Sequence, residues 1–203
     1  MQITTSFRSI LNYPVIYDLF QNLMGASRVR RELVSDFIHP TEGMRILDIG
    51  CGTARILDFL PKVNYFGFDA SQQYIDDAIS RYGERGTFKC DTVEEALIRG
   101  EQSFDLVLAV GVLHHLDDES AVKLLRLGNS ALTQGGRVVT VDPCFDLHQN
   151  PIAHFLISRD RGQNVRHHAQ YSELAFKAFK KVDSFVRHRA WIPYTHCIME
   201  CTK

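Results

Sequence analysis

The chain has 203 residues, 45% of them hydrophobic and 23% charged, with a formal net charge of −1. That length suits one α/β domain with small additions, and such a domain buries roughly 70% of its unfolded surface, so it needs no disulfide or metal staple. The near-neutral charge gives no overall pull toward nucleic acid or an anionic membrane, and neither is expected as a partner.

The charge is nevertheless uneven. From Cys144 onward there are nine Lys or Arg against five Asp or Glu, and six of the nine histidines lie in the last third. This reads either as an ordinary solvated surface or as a mildly basic rim that receives a polar or anionic substrate. The five cysteines are odd in number and lack C-x-x-C spacing. Cys197 and Cys201 share a strand face but lie too far apart to bridge, so reduced thiols in a cytoplasmic protein are expected. No charged leader followed by an apolar core opens the chain, and the longest apolar run, Val107 to Leu113, is too short to span a bilayer.

In chain order, two short helices come first. Pro14 suits a first helical turn, with Val15, Ile16, Leu19, Phe20 and Leu23 on one face before Gly25. Ser27 then caps a second helix carrying Val29, Leu33, Val34 and Phe37, which Pro40 ends. From Arg45 the pattern becomes alternating short apolar runs and amphipathic segments, the mark of βαβ units. Strands are expected at Met44 to Ile49, Asn64 to Phe68, Thr87 to Lys89, Phe104 to Val110 and Gly136 to Val141. Helical stretches fall at Arg55 to Leu60, Ser71 to Tyr82, Thr92 to Arg99 and Glu119 to Ala131. A polar stretch then runs to Arg166, followed by a helix from Tyr171 to Phe179. Two antiparallel strands, Val182 to Arg189 and Thr195 to Cys201, end the chain.

The string from Ile46 to Thr53, ILDIGCGT, places a buried strand, a G-x-G turn and a helix start in succession. Gly50 and Gly52 can take left-handed angles and let a ligand lie against bare backbone. Ligands of open α/β sheets bind beyond the carboxyl ends of strands, so a nucleotide-like ligand is expected there. Arg55 stands where the third glycine of a dinucleotide fingerprint would be, which argues against an NAD-dependent oxidoreductase. Asp48 suits a cationic group, such as the α-amino group of a methionine moiety, better than a pyrophosphate. Asp69 lies 21 residues after Asp48 at the end of the second strand, where it can hold both hydroxyls of a ribose or cap the next helix. Asp91, in Cys90-Asp91-Thr92, can meet an adenine amino group with its neighbours walling the ring, or again cap a helix.

The series LDIGCGT, FGFDAS, KCDTVEE, FDLVLAVGVLHHLDD and GGRVVTVDP resembles the ordered motifs of class I S-adenosylmethionine-dependent methyltransferases. It is most similar to the bacterial type 11/12-like group that methylates small molecules. The resemblance covers residues 44–143. It implies a Rossmann-like seven-stranded α/β sheet, mostly parallel with an antiparallel final strand and helices on both faces. It divides a single domain into a helical lid (1–40), a cofactor-binding core (44–143), a substrate-side insertion (144–170) and a C-terminal helix and strand pair (171–203). The cofactor implied is S-adenosylmethionine, leaving as S-adenosylhomocysteine, without a metal. The cofactor-binding set is then Asp48, Gly50, Cys51, Gly52, Arg55, Asp69, Ala70, Ser71, Cys90, Asp91, Thr92, Val110 and Gly111. The segment Ser158 to Arg166 also resembles one in uncharacterised members of the group, and it names no substrate.

Methyl transfer from a sulfonium is an in-line displacement, for which positioning supplies ~7–11 kcal/mol of the barrier. A general base is needed mainly for a hydroxyl or protonated amine acceptor. His114 and His115 are the candidates, either as base or as packing over the cofactor. Arg159, Arg161 and Arg166 can bind a carboxylate or phosphate of the substrate, or pair locally with Asp160 to fix a loop. Tyr13 and Tyr17 would line the lid or simply pack. Ala109-Val110-Gly111-Val112 differs from the [D/N/S]-P-P-[Y/F] string of enzymes that methylate exocyclic base amines. It also lacks the carboxylate of the magnesium-dependent catechol type. The reading is methyl transfer to an O or N atom of a small molecule, with a non-catalytic cofactor-binding or partner-binding module on the same fold as the alternative.

Overall fold

Short, continuously apolar runs form strands that must be covered on both faces, and the chain covers them with helices that carry one apolar stripe each. The computed structural model describes residues 26–91, 103–160, 162–189 and 193–203. Helix α1 (Ala26–Leu33) continues into one wide turn, Val34–Ile38, before the first strand. There follow β1 (Arg45–Ile49), β2 (Asn64–Asp69), α2 (Gln72–Tyr82), β3 (Gly86–Cys90) and β4 (Phe104–Val110). Then come α3 (Asp118–Ala131), β5 (Leu132–Phe145), α4 (Pro151–Ser158), β6 (Arg166–His167), α5 (His168–Phe176), β7 (Lys181–Arg189) and β8 (Tyr194–Thr202).

The strands join in the order β3-β2-β1-β4-β5-β8-β7, with the two-residue β6 pairing off the end of β5. Pairing is parallel from β3 through β5 and antiparallel across β5, β8 and β7. The Rossmann-like α/β sheet expected from the sequence is therefore present, final antiparallel pair included. Strand order reverses between β1 and β4, which opens a crevice at their carboxyl ends.

Each face of the sheet has its own core. On one, α3 and α5 bring Leu125 and Leu174 onto Val107, Val138 and Met199. On the other, α1, α2 and the turn after β1 bring Phe37, Leu57 and Ile75 onto Ile46, Leu108, Val139 and Ile198. The alternation of Leu106 and Leu108 against Val107 along β4 feeds the two cores by turns, all three side chains being fully buried. Each such side chain contributes about 1.5–3 kcal/mol.

Several local expectations change. Arg55 to Leu60 is a single 3₁₀ turn, Arg55–Phe59, because Pro61 disfavours helical backbone at the residue before it. Ser27 lies inside α1 rather than ahead of it. The stretch after β5 holds a helix, α4, begun by Pro151 and capped by Asn150, whose Oδ1 accepts from the Ile152 amide at 2.8 Å. It escapes a periodicity reading because Ile152 and Phe155 face outward. Helix α5 starts at His168 because Gln170 Oε1 accepts from the His167 amide at 2.9 Å, closing a capping box. The expected helices near Pro14 and from Thr92 to Arg99 lie outside the described residues. No helix among those described is long and apolar enough to cross a membrane.

Arg137 on β5 ties the end of α1 to the sheet. Its guanidinium donates to Phe37 O (2.6 Å), to Ile38 O and to Glu200 Oε2 (2.7 Å). Hydrogen bonds to a charged donor are worth about 1.5–3 kcal/mol each, and losing the group leaves carbonyls and a carboxylate half-buried without partners. Arg137→Met is expected to lower stability by about 2–4 kcal/mol in urea unfolding.

Candidate cofactor crevice and active site

The crevice is lined by four strand ends. At the end of β1, Gly50 has φ 71 and Gly52 φ 54, left-handed angles that turn the chain back across the sheet edge. The Gly50 and Cys51 amides donate to Phe68 O on β2 at 2.7 and 3.0 Å, so the turn is stitched to the neighbouring strand. A Cβ on Gly50 would sit 2.7 Å from Val112 Cγ2, whereas one on Gly52 would meet nothing within 4 Å. Gly50 is thus required by packing, and Gly52 faces open space. Ala54 also takes a left-handed φ of 52 and Arg55 opens the following turn, with Nη1 3.8 Å from Asp58 Oδ2.

At the end of β2, Asp69 joins two of these strand ends. Its Oδ2 accepts from the Gly52 amide at 2.9 Å and its Oδ1 from the Ser71 amide at 2.8 Å. Asp69 therefore ties the glycine turn to the head of α2, whose N-cap is Ser71. Cys90, opposite Asp69 in the strand register, brings its Sγ within 3.6 Å of Ala70 O. Asp91 follows, half-buried, and Val110 and Gly111 (φ 72) complete the edge at β4. Thr92 lies outside the described residues.

Asp48 is buried inside β1. The Tyr65 hydroxyl donates to its Oδ2 at 2.5 Å, while Oδ1 is buried with no partner among the described residues. Burial pushes its carboxyl up to about 7, with the charge of Asp69 adding to the effect and the Tyr65 hydrogen bond opposing it.

Across β4 and β5 lies a second polar cluster. His114 is buried in the 3₁₀ turn after β4, with Nδ1 2.8 Å from Asp142 Oδ1 and Nε2 3.4 Å from Asp160 Oδ1. The same Asp142 oxygen accepts from the His114 amide at 3.1 Å. Both ring nitrogens face carboxylates, so His114 is not a free base as the sequence allowed. His115 is exposed, its ring centroid 4.0 Å from that of His114. Asp160 also accepts from the Tyr194 hydroxyl on β8. Two strand positions nearer the middle of β8, burial pushes His196 down to about 4. A cavity of about 20 Å³ between α1 and the β7–β8 pair is lined in part by Glu32, Arg189 and His196.

The arginines separate. Arg166 is buried and donates to Leu113 O, Asn164 O and Leu116 O at 3.0, 3.0 and 2.7 Å, and to Asp118 at 2.9 and 2.8 Å. With four hydrogen bonds and an ion pair to Asp118, it fixes the turn around His114. Arg159 is exposed, its guanidinium 4.9 Å from the Phe155 ring centroid. Arg161, Tyr13 and Tyr17 lie outside the described residues. Among the described residues, no three His, Cys, Asp or Glu side chains gather as metal ligands would. Tyr65, Asp142 and Tyr194 were not singled out from sequence. Only Asp142 carried a signal there, as an acid at the end of a buried apolar run.

A doubly wound sheet with a glycine turn after its first strand and an acid at the end of its second defines a Rossmann-like domain. Residues 47–138 match the family model described as "Methyltransferase domain". A Ubiquinone biosynthesis O-methyltransferase of Caulobacter sp. (strain K31) is 31% identical over 105 residues, which are 49% of this chain and 41% of that relative. The chain matches less than half the length of such relatives. Among solved structures, the S-adenosylmethionine-dependent methyltransferase SibL in its apo form aligns with TM-score 0.70 at 18% identity, over 91% of this chain and 57% of that one. The YcgJ protein from Bacillus subtilis aligns with TM-score 0.65 at 17% identity, over 87% and 98%. Over residues 47–138 the chain is thus similar to methyltransferases, and its fold is that of S-adenosylmethionine-dependent ones.

The raised carboxyl of Asp48 has a consequence for stability. The folded state holds that proton between about 4 and about 7 while the unfolded chain releases it, so stability falls as pH rises across that window. Asp48→Asn is expected to abolish this slope and to match or exceed the wild type in thermal stability at pH 8.

Proposed function

We propose that the protein transfers the methyl group of S-adenosylmethionine to an oxygen or nitrogen of a small molecule, with Asp48, Gly50, Gly52, Asp69 and Asp91 holding the cofactor. The observation that carries this reading is the Asp69 carboxylate, which spans the glycine turn and the head of α2. Each of its oxygens accepts one amide and keeps a further lone pair for a ribose hydroxyl. The residues also fit the other end of the cofactor, because the unpartnered, buried Oδ1 of Asp48 is an acceptor suited to an ammonium group. Gly52, with open space where a Cβ would be, lets a ligand approach bare backbone.

When bound, the cofactor supplies an electrophilic methyl group on a sulfonium. The chain's own part is to bind, align and exclude water, which accounts for most of the acceleration in such a displacement. Of the two histidines, His115 is the one with an exposed ring at the strand edge, and we assign it any proton removal from the acceptor. A small-molecule acceptor accords with the relatives named above, and oxygen is the atom their name specifies.

Calorimetric titration with S-adenosylhomocysteine tests the reading. Micromolar binding is expected for the wild type and none for NADH, with Asp69→Ala weakening binding by at least about 100-fold, or roughly 2.7 kcal/mol. A wild type that binds neither compound at millimolar concentration overturns it.

A further inference from the structure

We propose that His114 is a positioning residue whose charged ring bridges Asp142 on β5 to Asp160 in the segment after α4, strapping that segment across the carboxyl ends of β4 and β5. The inference concerns the acceptor side of the site proposed above but is read without any activity.

The bridge is built from three contacts of one ring and its backbone. Nδ1 lies 2.8 Å and the His114 amide 3.1 Å from Asp142 Oδ1, while Nε2 lies 3.4 Å from Asp160 Oδ1. A neutral imidazole donates from only one nitrogen, so satisfying both carboxylates requires the doubly protonated ring. The strap is seated closely against that ring. A Cβ on Gly162 would fall 2.0 Å from His114 Cδ2, and the Asn164 amide donates to His114 O at 3.0 Å. Asp160 is itself oriented by the Gly162 amide at 2.9 Å and by the Tyr194 hydroxyl.

The charged surroundings all bear on the same proton. From β5 comes Asp142, from the strap Asp160, and from β8 Tyr194 and His196. His115 lies beside the ring, Tyr171 on α5 stands near Asp142, and Arg166 holds the Leu113 and Leu116 carbonyls of the same turn. Burial alone would lower the His114 pKa, but the hydrogen bonds to Asp142 and Asp160 outweigh it and raise it to about 9. Burial likewise opposes ionisation of Asp160, yet His114, Gly162 and Tyr194 hold its carboxyl well below the usual range. The folded-state value exceeds the unfolded one of 6.5, so the bridge contributes fully below that pH and is lost as pH rises through about 9. Deprotonation leaves two carboxylates facing a ring with one proton to share, and the strap then separates from β5.

The test follows the imidazole signals of ¹⁵N-labelled protein with pH. It is paired with limited trypsin cleavage after the exposed Arg159 at pH 7.5, in the wild type, His114→Gln and Asp160→Asn. His114 is expected to titrate near 9 in the wild type and at least about one unit lower in Asp160→Asn, since each lost carboxylate partner removes roughly that much. Cleavage after Arg159, taken relative to the same bond in a short peptide of matching sequence, is expected to rise at least about fivefold in both variants, as local opening does when a tertiary restraint is lost. Because Asp160 is only half-buried in a loop, Asp160→Asn keeps the test sound even if His114→Gln unfolds. A His114 that titrates below about 7 in the wild type, or unchanged cleavage in folded Asp160→Asn, overturns the proposal. S-adenosylhomocysteine titration of the same samples is scored separately. Its failure removes the methyltransferase reading and leaves the strap result standing.

Discussion

Gly50 leaves β1 with φ 71, gives its amide to Phe68 O, and passes so close to Val112 that a methyl group in place of its hydrogen would lie 2.7 Å from Cγ2. One turn thereby joins the ends of three strands. Phe68 is the next-to-last residue of β2, and Val112 follows β4. Because β2 and β4 flank β1 on opposite sides, this turn closes the floor of the crevice at the point where strand order reverses. The Asp69 carboxylate then reaches over from β2 to the Gly52 amide and fixes how the turn meets the head of α2. A side chain at position 50 would have to displace Val112, and with it the turn that carries both histidines.

The sheet edge concentrates acids that burial would otherwise exclude. Asp48 answers burial by holding a proton near neutrality, since its protein partner is the Tyr65 hydroxyl. Asp142 and Asp160 instead share a buried cation, His114. The two solutions sit on either side of β4. Asp160 is held by the Gly162 amide, the Tyr194 hydroxyl and the His114 ring, whereas Asp48 and Asp142 each keep one buried oxygen without a partner among the described residues. The cluster remains stable only while its members are paired, because a buried unpaired charge destabilises by several kcal/mol.

Arg137 and Arg166 show a related use of buried cations. Each gathers carbonyls that no regular element satisfies, Arg137 at the end of α1 and Arg166 around the turn after β4. The guanidinium suits this because its five donors diverge in one plane. Both arginines therefore hold backbone in place, Arg137 near the amino ends of the parallel strands and Arg166 at their carboxyl ends.

The sequence by itself determined the strand and helix succession of the core, the α/β class and the glycine turn with its two following acids. Those features are local: the apolar runs of β1, β4 and β5, the positive-φ glycines and the spacing from Asp48 to Asp69 depend on residues close together in the chain. Tertiary structure alone decided the roles of Asp142, Asp160, Tyr194 and Arg166. His114 is 28 residues from Asp142, and Asp160 is 34 from Tyr194, so nothing in the local pattern announces their meeting. The helix α4 was hidden for a different reason, since its outward-facing Ile152 and Phe155 erase the amphipathic period. A histidine reads in sequence as a base because its free pKa lies near neutrality. Whether it remains one depends on which charges the fold brings to its two nitrogens, and here the fold brings a carboxylate to each.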